Sequence, residues 1–140
     1  MKAPGKAFTE HALKETQSSY ELSIKKKEDT KNRLNEEIKA DQDFIAEKQE
    51  LVTSLKNRIN QKKKVVKLAV QLRDSRVEHA VNREIAWFEG QISKNERRID
   101  MANDRIKTAT ARIANIDYKL ENLNADLEIE LEANACYNNH

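Results

Sequence analysis

The sequence predicts an all-α protein folded as a long antiparallel helical hairpin, a coiled coil of two arms, and three observations carry that prediction. Between Lys6 and Glu89 there is no glycine and no proline. Along this stretch branched aliphatic residues stand at multiples of seven positions, Ile24, Ile38, Ile45, Val52, Ile59 and Val66, which is the repeat of a supercoiled seam. A second series, Ile85, Ile92, Ile99, Ile106, Ile113, Leu120 and Leu127, continues the pattern almost to the C-terminus.

Composition agrees. A chain of 140 residues with 36% charged and 38% hydrophobic side chains fills a narrow seam, not a thick globular core. The periodic aliphatics separate it from a disordered chain of similar charge. The formal net charge of +2 is too near balance to announce a nucleic-acid or membrane partner. No apolar run approaches the roughly 20 residues that span a bilayer, and residues 1–7 lack a secretory hydrophobic stretch. The expectation is a soluble, intracellular protein without membrane insertion. The one cysteine, Cys136, lies in a polar tail, so neither an intrachain disulfide nor a thiolate zinc site is expected.

Taken in order, Pro4-Gly5 interrupts regular structure, and residues 1–8 read as a flexible N-terminal arm. Thr9 is placed to cap a helix, with Glu10 at the positive dipole end and Phe8 and Leu13 as a hydrophobic staple. The first arm then spans about 9–72, the tip about 73–76 and the second arm about 77–135, one domain over 9–135 followed by a polar tail at 136–140. Ser75-Arg76-Val77-Glu78 reads as the capping box that starts the second helix.

The two series are 19 residues out of step, from Val66 to Ile85, so a continuous helix would need stutters whereas a reversal needs none. With the first series at heptad position a, position d holds Leu34, Asp41, Lys48, Leu55, Lys62 and Ala69. The second series has Phe88, Asn95, Ala102, Ala109, Ile116 and Leu123 at d. A fold about Arg73 and Asp74 places Ile59 opposite Phe88, Val52 opposite Asn95, Ile45 opposite Ala102 and Leu34 opposite Ile113, matching a with d throughout. Polar seam residues, Lys31 among them, fix register at a cost in stability.

Two alternatives compete with the hairpin. β-Branched residues at a, and a tip without glycine, proline or asparagine, suit a single long helix in a parallel coiled-coil bundle. Gly90, followed by the capping box Ser93-Lys94-Asn95-Glu96, suits three helices.

For function, His11, His79 and His140 are isolated and no glycine-rich phosphate loop or paired metal-ligand spacing occurs. A thin rod also has no water-excluded cleft to shift a carboxylate pKa. The reading is a non-enzyme with no cofactor and no metal. Residues 65–88 carry a wider apolar face, on which Val77, Val81, Trp87 and Phe88 are candidate partner anchors; the competing reading is that they close the hairpin core. Nine basic residues lie between Lys56 and Arg83 against Asp74 and Glu78. Of these, Lys62, Lys63, Lys64 and Lys67 are candidates for an acidic partner, although no nucleic-acid module surrounds them.

The chain therefore reads as a coiled-coil structural or scaffold protein mediating protein–protein assembly. Its partners are itself or another helical protein, as a homo-oligomer or a component of a larger complex. The alternative is a regulatory adaptor or stalk rod that docks its 65–88 tip region into a larger protein machine. Nucleic-acid binding through the basic face ranks last.

Overall fold

The computed structural model describes residues 6–138, with side chains described at residue 12 and residues 14–135. It consists of two long helices, α1 (Lys6–Gln71) and α2 (Ser75–Asn138), joined by a three-residue turn. The chain is an all-α helical hairpin. Both the parallel bundle of single helices and the three-helix arrangement are overturned. The chain reverses after Gln71, and α2 runs unbroken through Gly90, which faces open space. Helix α1 begins at Lys6, three residues before the expected Thr9 cap; the side chains of the proposed staple, and most of the N-terminal arm, lie outside the described residues. Helix α2 likewise runs into the expected C-terminal tail, to Asn138.

The turn shows how a sequence without glycine reverses. The Arg73 N–H donates to the Val70 carbonyl (3.1 Å) and the Asp74 N–H to the Ala69 carbonyl (2.9 Å), the crossed pair of bonds that closes a Schellman motif. This closure needs a left-handed residue, and Arg73 takes that role at φ 54°. Asp74 then caps α2. Its Oδ1 accepts from the Val77 N–H at 3.3 Å and its carbonyl from Glu78 N–H at 3.1 Å. The cap is thus Asp74, one residue ahead of the expected Ser75; its carboxylate accepts the free N–H and sits favourably at the positive end of the helix dipole. Arg73→Gly is expected to stabilise the hairpin by roughly 0.5–1 kcal/mol through relief of the left-handed strain, and Arg73→Val to destabilise it by about 1 kcal/mol or more, as read by urea denaturation. Equal stability of the two variants would show that the turn does not hold its left-handed residue in solution.

The hairpin comprises two compact units, one of residues 38–107 around the turn and one of residues 1–37 with 108–140. In the turn unit, Val52, Leu55 and Ile59 of α1 and Val81, Ile85 and Ile92 of α2 form the buried core, with Val66, Phe88 and Ile99 packed against it. Ala69, Ile45, Asn95 and Ala102 are also buried. Burial falls at alternate three- and four-residue steps along both helices up to the turn, so the heptad alone decides which side chains leave water. In the other unit Leu34 and Ala109 are buried, while Ile24, Ile113, Ile116, Leu120, Leu123 and Leu127 are half-buried.

Cross-helix ion pairs report the register. Asp41–Arg105, Lys62–Glu84 and Lys31–Asp117 each join positions within one residue of the alignment about Arg73 and Asp74. Lys56–Glu96 reaches five residues further.

Candidate interaction surface

Four polar seam residues of the turn unit, Asp41, Lys48, Lys62 and Asn95, have partners, and two of them, Asp41 and Lys62, reach across to the other helix. Asp41 at d accepts two hydrogen bonds from Arg105, from Nη2 at 2.9 Å and Nε at 3.2 Å. These bonds raise the Arg105 pKa further above its ordinary value. Lys62 at d reaches Glu84 at 2.7 Å. Lys48 at d lies 5.4 Å over the ring of half-buried Phe44, a cation–π contact. Asn95, 4% exposed, donates to the Gln91 carbonyl one turn back in its own helix at 2.8 Å. Among the described residues no buried side-chain nitrogen or oxygen lacks a partner.

These contacts also fix which outer positions share a face. Position d of α1 bonds to g of α2 in Asp41–Arg105 and Lys62–Glu84, whereas e of α1 meets e of α2 in Lys56–Glu96. Within the turn unit, then, positions c and g of both helices lie on one side of the seam, and b and e on the other. The exposed large apolar residues of this unit divide unevenly between those faces. Leu51, Val65, Leu72 and Val77 occupy g, Leu68, Trp87 and Met101 occupy c, and only Val70 lies on the opposite side at e. Scatter over the five outer positions would put about two in five on this face; the chain puts seven of eight there.

The residues expected to bind a partner are placed as follows. Trp87 is 61% exposed and Val77 39% exposed, both on the c/g face. Val81 is buried in the core, and Phe88 packs against that core while meeting Trp87 edge to face at 5.3 Å. Those two therefore pack in the seam that holds the hairpin together, because the heptad turns position d inward. Of the four lysines, Lys62 is engaged with Glu84 at the seam, while Lys63 at e, Lys64 at f and Lys67 at b are exposed. The structure does not bring the exposed lysines together with Trp87: Lys63 and Lys67 lie across the seam from it and Lys64 on the back of α1. Leu51 and Met101 were not singled out by the sequence reading. A third seven-residue series at g, Phe44, Leu51, Arg58, Val65 and Leu72, is the signal that locates this face.

Among the described residues no group of three or more His, Cys, Asp or Glu is arranged to hold a metal ion, and no helix is long and apolar enough to cross a membrane. The geometry defines the class, an antiparallel two-helix coiled coil with one apolar outer face. No protein-family model, no curated protein and no solved structure matches this chain.

Proposed function

We propose that this protein is a non-enzymatic coiled-coil scaffold that mediates protein–protein assembly through the c/g face of its turn unit, in solution inside the cell. One observation supports this above the rest: seven of the eight exposed large apolar residues of that unit share one face. Strict a and d burial satisfies a two-stranded seam, whereas apolar residues extending to g belong to helices that pack in a larger bundle. A patch of this kind, crossed by a few polar residues, marks a contact surface. The partner is a helical protein, since the added series keeps the seven-residue period of a coiled coil.

A second reading is the adaptor that docks its turn into a larger machine. It draws on Leu72, 71% exposed beside the turn, together with Trp87. Solution mass and helicity across a concentration series separate the two. The scaffold is expected to rise above the 16.2 kDa monomer at micromolar concentration. A monomer at every concentration sinks the scaffold and leaves the adaptor, whose partner binding would then fall with Trp87→Ala and Leu72→Ser.

A further inference from the structure

We infer that the c/g face of the turn unit is the surface on which a second copy of this chain sits, the two hairpins packing face to face with their turns at the same end. The inference rests on the assembly reading above and names its partner and its surface.

Periodicity comes first. The α1 series Phe44, Leu51, Arg58, Val65 and Leu72 advances by seven residues, so it winds with the supercoil and offers its ridge only to a surface that winds likewise. A flat membrane or a globular pocket would meet a patch of fixed direction instead. Helices with the same period and the same spare face are what another copy of the turn unit presents.

Complementarity comes second. With the turns together, helix α1 of one copy lies over α2 of the other, running antiparallel to it, and positions at equal distance from the turn meet. By the alignment about Arg73 and Asp74, Leu72 then comes within two residues of Val77 of the second copy, Phe44 within two of its Met101, Arg58 within two of its Trp87 and Glu47 within two of its Arg98. At these four positions apolar groups meet apolar groups, a guanidinium meets an indole ring, and opposite charges meet. Of the other charges on this face, Glu84 and Arg105 are already held by Lys62 and Asp41, and exposed Lys94 comes within two residues of Leu51 of the second copy.

Size comes third. From Phe44 to Leu72 the face is about 42 Å long at 1.5 Å per residue, and two helices, about 20 Å, wide, so each copy would cover about 800 Å², the extent of a standard stable interface.

The test is sedimentation equilibrium on the full chain across a concentration series, with the emission of Trp87, the only tryptophan, read in parallel. The wild type should reach twice the monomer mass, and its emission should shift to the blue as concentration rises. Leu68→Glu with Leu72→Glu should weaken the dimer at least about tenfold and abolish the emission shift. Both residues are more than half exposed, at 54% and 71%, so the hairpin should keep its helicity. Lys63→Glu with Lys64→Glu, off this face, should leave the dimer unweakened. Association that survives the leucine substitutions unchanged would overturn this surface while leaving the assembly reading standing, whereas a wild type that never exceeds monomer mass removes both. Nitroxide labels at Gln71→Cys in a Cys136→Ser chain report the arrangement. Turns together give one short distance, whereas turns at opposite ends would separate the labels by roughly 40 Å and overturn the alignment.

Discussion

Ile59→Ala is expected to destabilise the hairpin by about 2–3 kcal/mol, read as a lower urea midpoint in far-UV circular dichroism. Ile59 is 6% exposed and belongs to the cluster of Val52, Leu55, Val81, Ile85 and Ile92, with Phe88 against it. A two-stranded seam has one layer of side chains and no second shell to close over a missing group, so the methylenes removed are lost from the only apolar contact holding the arms together. Leu22→Ala is the matched control. Leu22 is 55% exposed, and its truncation is expected to stay within about 0.5 kcal/mol. Equal losses at the two positions would mean that the seam is not what holds the hairpin.

Asn95→Leu is expected to act in the opposite direction, stabilising the hairpin by about 2 kcal/mol. Asn95 is 4% exposed at a d position, level with Val52 across the seam, and its amide donates to its own helix at Gln91. That bond satisfies the amide without joining the arms, so a leucine would add apolar contact and lose little else. The expected penalty is specificity. A buried amide disfavours registers and partners that would set it against a continuous apolar row, and its removal should broaden the distribution of oligomers. Chemical denaturation with solution mass on one preparation checks both halves. A variant less stable than the wild type would refute the argument that the amide limits stability.

These two positions show how far the sequence could be read. Ile59, Leu55 and Ile92 were legible as core because a seven-residue repeat of aliphatics has one physical use, and the same repeat placed Asn95, Asp41 and Lys62 in the seam. The alignment about Arg73 and Asp74 followed from matching a with d, and the pairs Asp41–Arg105, Lys62–Glu84 and Lys31–Asp117 agree with it to within one residue. The turn itself was harder to see. Arg73 carries no mark of a left-handed residue, since side-chain identity only biases that choice and the crossed hydrogen bonds of Arg73 and Asp74 impose it. The shift of the cap from Ser75 to Asp74 has the same origin, because both residues are good caps and only the backbone path selects between them.

The interaction surface was half legible. The excess of apolar residues between 65 and 88 was plain, but the assignment of anchors mixed inward and outward groups. Val81 and Phe88 fall on the seam, whereas Trp87, one residue along, is turned by about 100° onto the outer face.

By itself the sequence determined that this chain is helical, that its helices meet along a heptad seam, and which residues that seam buries. These follow from periodicity, a local property of one chain. Only the tertiary structure decided that the arms run antiparallel through a left-handed Arg73, and that Leu51 and Met101 share a face with Trp87 while Lys63 and Lys67 lie across from it. A heptad gives each residue an angle around its own helix, and the side of the molecule on which it lies is defined once a second helix is in place.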